Sequence, residues 1–210
     1  MEEKRKPVDL NLLIHRDSLA LDVEIHKVSL EAEVEWSEAC YNINKCMERN
    51  SNEDFPNAVF FGEEAVKHID NSLKLWNELL KKADRLVEIS PVEYREVYEE
   101  EAKRFHAIVN SIKAEKELVG ALIILSKVAE ELTKKAGEPS KEAEENRWLL
   151  MLDDGLRKCD LAISMLDEAS KKAPKLKSRF EAGKFSVFII RDRIIEVRDA
   201  IIPVNRRIIY

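Results

Sequence analysis

The sequence predicts an all-α fold: a single-domain antiparallel bundle of about five long helices with up-and-down connectivity. Three observations carry this. Glycine (5) and proline (6) are scarce in 210 residues, whereas a large β domain needs many turns and uses more of both. Gly62, Val66, Ile69, Leu73, Trp76, Leu80, Ala83 and Val87 recur in alternating steps of 4 and 3, the seam of a helix packed along its length. The stretch LDVEIHKVSLEAEVEW (21–36) alternates apolar and polar residues as a half-buried strand does. It nevertheless continues in helical steps through Leu21, Ile25, Val28, Ala32, Trp36, Ala39, Ile43 and Cys46. A strand pair would also need a turn near His26 and Lys27, where no Gly, Asn, Asp or Pro stands.

The elements follow in order. Residues 1–16 read as an arm or a short extra helix around VDLNLLI (8–14), residues 17–202 as the bundle, and 203–210 as a tail. The first long helix carries a second apolar line, Leu19, Val23, Leu30, Val34 and Tyr41, nearly opposite the first. That predicts a helix in the middle of a layered bundle, with neighbours on both sides. The second helix opens at SNEDFP, with Pro56 suited to its first turn, and Gly62 on its seam predicts close approach of a partner backbone. In SPVE (90–93), Ser90 can cap, Pro91 fits the first helical position and Glu93 can reach back, as in a capping box. The third helix runs to about Ala136 and stops at Gly137, with Pro139 behind it. Its section LVGALIIL (118–125) is apolar all round and is expected to be fully buried, with Gly120 marking a kink or close crossing. The fourth begins near Ser140 and ends before Pro174; its seam is Leu149, Leu152, Leu156, Cys159, Ile163, Leu166 and Ala173. The fifth covers about 178–202, with Val187, Ile190, Ile194, Val197 and Ile201 on one stripe. Its run FSVFII (185–190) fits helix or strand, because β-branched and aromatic residues crowd there.

Catalytic signatures are missing. The chain has no phosphate-binding loop, no GxGxxG, no HExxH and no Glu-x-x-His pair. No Arg precedes a His at the spacing of helical ribonucleases. Glu35/Glu38 and Glu196/Asp199 have the acid spacing of helical nucleotide pyrophosphatases but stand most of the chain apart. Glu64 and His68 are four apart, yet one pair is not a metal site, and His68 reads as a half-buried residue at a bundle edge. Asp153, Arg157 and Asp160 read as surface charge pairs along one helix. Trp76, Tyr94, Tyr98, Phe105 and Trp148 lie near seams and read as core aromatics. Cys40, Cys46 and Cys159 lack zinc-type spacing and read as reduced, mostly buried thiols. No catalytic residue, metal ligand or cofactor is expected. The N-terminal MEEKRKPVDL has no apolar core of signal-peptide type, and no apolar run is long enough to span a membrane; a cytoplasmic protein without membrane contact is expected. The absence of glutamine, the single threonine (Thr133) and the abundance of charge resemble thermophile composition.

The unusual feature is charge separation. Between Lys171 and Arg207 stand 11 basic and 4 acidic side chains, a balance of +7 in a chain of net −6. The first long helix, by contrast, concentrates Asp22, Glu24, Glu31, Glu33, Glu35 and Glu38 against Lys27. The basic segment can match acidic helices of its own chain, meet a partner, or contact nucleic-acid phosphates. The candidate contacts are Lys171, Lys172, Lys175, Lys177, Arg179, Arg206 and Arg207. Ile208, Ile209 and Tyr210 in the tail are candidates for docking into a groove. The expected function is a non-enzymatic helical scaffold, adaptor or assembly subunit that binds a protein partner or itself. The alternatives are a nucleic-acid-associated subunit and a ligand- or metal-binding bundle.

Overall fold

The computed structural model describes residues 10–136 and 141–202, and every regular element within them is helical. The order is α1 (Leu10–Ser51), α2 (Phe55–Ile89), α3 (Val92–Lys134), α4 (Glu142–Lys172), a single 3₁₀ turn (Pro174–Leu176) and α5 (Lys177–Ile201). Each helix packs antiparallel on the next, and the central α3 touches α1 and α5 as well. The helical reading of 21–36 holds, within α1, and 185–190, open between helix and strand, lies within the helix α5. The short extra helix expected near 8–14 is not a separate element from residue 10 onward, because α1 runs unbroken from Leu10. The expected stop signals Gly137 and Pro139, and Ser140, lie outside the described residues.

The α1–α2 pair is built on small side chains. Ala32, Ala39 and Cys46 of α1 and Ala58, Gly62, Ala65 and Ser72 of α2 are all buried. The Ser72 hydroxyl donates to the Ala32 carbonyl at 3.1 Å, a contact that requires the two backbones to lie close. Half of the seam expected for α2 shifts by one residue. Gly62, Ile69, Trp76 and Ala83 are buried as read, but Ala65, Ser72, Leu79 and Leu86 complete the core, while Val66, Leu73, Leu80 and Val87 are only partly buried. At 65 and 72 a small residue, Ala65 or Ser72, takes the inward place and Val66 and Leu73 move to the flank; at 79 and 86 the inward residue is itself leucine. Gly62 admits side chains rather than the backbone anticipated: a Cβ there would lie 2.6 Å from Ile123 Cγ1 and 3.3 Å from Cys46 Sγ.

The connections are short. Between α1 and α2 the chain turns through Glu53 in the left-handed region (φ 60°), and the Asp54 amide donates to the Arg49 carbonyl at 2.9 Å. The capping box expected at SPVE does not form. The Ser90 hydroxyl donates back to the Leu86 carbonyl and closes α2, and α3 starts at Val92 without a side-chain cap. A two-residue link with extended backbone at Ser90 leaves that hydroxyl over the helix it follows. At the α3–α4 link, the Trp148 indole donates to Glu131 at 2.7 Å, and the Lys135 ammonium lies 5.8 Å from the centre of the same ring system.

The core lies in two clusters that meet on α3. One joins α1, α2 and the N-terminal half of α3 around Ile69, Trp76, Leu79 and Phe105. The other joins the C-terminal half of α3 to α4 and α5 around Leu122, Trp148, Leu152, Phe180 and Ile194. Most of 118–125 is buried, because helices cover it from both sides; Gly120, Ile123 and Ile124 keep partial exposure. The helix continues through Gly120, which marks a crossing of a different kind. The Lys158 stem lies over it, 3.2 Å from where a Cβ would stand, and its ammonium reaches Glu117 at 2.9 Å.

Candidate functional site

The basic segment is engaged mainly by its own chain. Lys184, Arg191 and Arg198 recur every seven residues on α5, and Asp167, Asp160 and Asp153 recur every seven in the opposite sense on α4. Antiparallel packing brings them together at 2.5, 3.2 and 2.9 Å respectively. Asp153 and Asp160 therefore pair with α5 and not with Arg157, which binds Asp154 instead. Lys184 also meets Glu181 at 2.8 Å, and the hydrogen bonds it donates to Asp167 and Glu181 hold its pKa above the ordinary lysine value. Of the candidate contacts, Lys175 pairs with Glu100. Lys171 and Lys172 occupy the last turn of α4, where cations complement the helix dipole. Lys177 is exposed at the start of α5, and Arg179 sits close enough to Glu115 and Cys40 to influence both. Arg206, Arg207, Ile208, Ile209 and Tyr210 lie outside the described residues. A cavity of about 630 Å³ beside the α4–α5 link takes Lys172, Lys175, Lys103 and Arg104 but also Glu100 and Glu101. Its mixed charge does not form the uniformly positive surface that phosphates select.

The acids of α1 are likewise matched locally. Glu24 binds Lys82 at 2.7 Å, and Glu35 accepts from His68 at 2.9 Å, contacts that lower both carboxyl pKa values. His68 is half-buried at the α1–α2 edge, and its partner is Glu35 rather than Glu64, which pairs with Lys67. No group of three His, Cys, Asp or Glu residues placed to hold a metal ion occurs among the described residues. Burial pushes the Cys46 thiol up to about 12 and the Cys159 thiol to about 11. Cys40, partly buried, is raised too, by desolvation and then by Glu115. All three are free and protonated at neutral pH, so none has the depressed pKa of a nucleophilic thiolate.

Two surfaces remain. The first is a row of separate cavities along α3. α1 and α5 do not pack on each other among the described residues; both rest on α3 and leave open space between them. Near the N-terminal part of α3, a cavity of about 390 Å³ is lined by Ile25, His26, Trp76, Tyr98, Arg104 and Phe105 among others. A separate cavity of about 120 Å³ lies between Trp36, Ser111, Arg179 and Phe180. Near the C-terminal part, a cavity of about 520 Å³ lies between Met47, Leu122, Leu125 and Ile189. Glu115 stands between these ends, and burial raises its pKa while Arg179 partly opposes the rise.

The second surface is the outer face of α1. Leu19, Val23, Leu30, Val34 and Tyr41 are between 50% and 70% exposed. This overturns the expectation that α1 lies in the middle of a layered bundle. It is an outermost helix, and its second apolar line has no neighbour among the described residues. The sequence signal was read correctly as an apolar line; what it lacked was any further helix with a complementary seam to cover it. Tyr94, expected in the core, is also exposed, because the first turns of α3 extend past the α4–α5 link.

Comparison with protein-family models, curated proteins and solved structures finds no match to this chain. No helix is long and apolar enough to cross a membrane among the described residues.

Proposed function

We propose that this protein is a helical adaptor or assembly subunit that acts through protein–protein contacts made by the outer face of α1. One observation carries the reading: five large apolar side chains line one face of a 42-residue helix and stand in solvent. Scattered apolar surface residues are ordinary, whereas a continuous line of them marks an interaction surface. The nucleic-acid alternative draws less support, since three basic residues of α5 and Lys175 face carboxylates of the same chain. The thiols and the described carboxylates supply no activated nucleophile or metal cluster on which an enzymatic reading could rest.

A photo-crosslinking amino acid placed at Val34, in the cells that naturally make the protein, tests the reading. Discrete protein adducts are expected at Val34 and not at Leu161 on the outer side of α4. A silent Val34, with Leu161 equally silent, overturns it.

A further inference from the structure

The cavity of about 120 Å³, where α1, α2 and α3 meet the start of α5, is lined by more side-chain donors than acceptors. Among the described residues, the buried Trp76 indole nitrogen has no hydrogen-bond partner. The Ser111 hydroxyl makes no hydrogen bond, whereas Ser72, Ser90 and Ser126 each donate to a helix carbonyl. Arg179 forms no ion pair, and Arg104 meets only Glu101, at 3.8 Å. Donors left without acceptors call for an explanation. The cavity of about 390 Å³ shares Glu33, Trp76, Arg104 and Ile108 with the smaller one, so the two have a common wall. We propose that a small organic monocarboxylic acid binds at this wall, its carboxylate at Arg104, Arg179 and Ser111 and its apolar body in the larger cavity. None of the five exposed apolar residues of the α1 line enters either cavity, so the inference stands apart from the protein-contact reading.

Charge fixes the head group. Glu33 is the acid lining the smaller cavity, and it pairs with neither arginine. Two guanidinium groups less one carboxylate leave a single positive charge. One ligand carboxylate balances it, whereas a phosphate monoester, at about −1.5 to −2 near neutral pH, overshoots. Glu115 acts on Arg179 through space, without a hydrogen bond between them. Guanidinium groups also suit the head by shape, since each can offer two parallel N–H bonds to a carboxylate.

Size and lining fix the body. The smaller cavity has room for a head group and little more. The larger falls within the ~300–1,000 Å³ range of small-molecule sites. Ile25, Leu86, Tyr98 and Phe105 give it apolar and aromatic surface, and the Trp76 and Phe105 rings lie 5.8 Å apart. Its far end is acidic. Glu101 stands ~15 Å before Ser111 along α3 at 1.5 Å per residue, and Asp22 of α1 lines the same cavity as Glu101. A second anionic group on the ligand would face these carboxylates, so a monocarboxylic acid fits where a dicarboxylic acid does not.

Titration calorimetry of the full chain with benzoate, 2-naphthoate and octanoate, each beside its primary amide, tests the site. At least one carboxylate is expected to bind one-to-one with a Kd of ~1 mM or tighter, and its amide about 10-fold more weakly. Arg104→Gln and Arg179→Gln, with helicity checked by circular dichroism, should each weaken the carboxylate by about 10-fold. Arg193→Gln should change nothing, since Arg193 pairs with Glu196 and lines neither cavity. 2-Naphthyl phosphate and 2,6-naphthalenedicarboxylate should bind more weakly than 2-naphthoate. Three results each overturn the inference: no carboxylate binding at ~1 mM, amides binding as well as their acids, or affinity that survives both arginine changes. A phosphate or dicarboxylate that binds more tightly than 2-naphthoate overturns the assignment to a monocarboxylic acid.

Discussion

The two outer helices solve the same packing problem in opposite ways. Both α1 and α5 rest on α3 and, among the described residues, do not pack on each other. α5 turns Phe180, Val187, Ile190 and Ile194 inward and is tied to α4 by three ion pairs at a seven-residue spacing. α1 turns Ala32, Ala39 and Cys46 inward and keeps most of its larger apolar residues, Ile25 apart, partly or wholly exposed. Small inward residues bring α1 so near α2 that Ser72 reaches a backbone carbonyl. The large residues are then left on the far side. α5 commits four of its large residues to the core, while Phe185, Phe188 and Ile189 stay exposed. α1 is held by close backbone approach, which leaves its bulk available for something else.

Four substitutions and one charge ladder would break or sharpen this contrast. Emptying α5 should cost most: Ile194→Ala removes a fully buried side chain packed over Gly155 and should lower unfolding stability by about 2–5 kcal/mol in chemical denaturation. Filling α1 should come next. Ala39→Leu has no space at the α2 contact and should cost about 1–3 kcal/mol; a neutral result would mean the pair is looser than described. Removing the ladder, with Lys184, Arg191 and Arg198 all changed to Ala, should cost about 0.2–1 kcal/mol per pair. The difference from the unmodified chain should shrink in high salt; a loss insensitive to salt would assign the effect to packed side-chain stems instead.

Glu115 offers a pH test at the junction between the two helices. Burial raises its pKa, so the folded chain holds that proton more tightly than the unfolded chain does. Its contribution to stability is complete below the ordinary carboxylate range and is lost as pH rises through the raised value. Glu115→Gln, which cannot ionise, should melt higher than the unmodified chain at neutral pH, and the gap should close in acid. An equal gap at all pH values would remove burial of the charge as the cause. Smallest of all should be Leu30→Asp in dilute solution, where a solvent-facing site should change monomer stability by no more than ~0.5 kcal/mol. A large loss there would mean that α1 leans its outer face on its own chain.

Much of the fold was legible in the residues. Helical steps of 3 and 4 marked out the five helices and settled 21–36, while 185–190 stayed open between helix and strand, because backbone hydrogen bonding within a helix needs no distant partner but β-branched and aromatic residues suit both states. Pro56 and Pro174 marked boundaries for equally local reasons. The ladder between α4 and α5 is also written in the chain, as two seven-residue rows of opposite charge, though it becomes visible only once antiparallel pairing is assumed. What could not be read was which neighbour each face receives. Ser90 could cap forward or backward, and the tightness of the link decided. Val66 and Ala65 both lie near the α2 seam, and the closeness of α1 chose the smaller. The two apolar lines of α1 were plain in the sequence, but periodicity states only that a face is apolar, not that anything covers it. Sequence by itself determined the helices and their stripes, since these follow from spacing along one chain. Tertiary structure alone decided that α1 stands at the edge with its second stripe uncovered among the described residues, since coverage depends on where the other helices run.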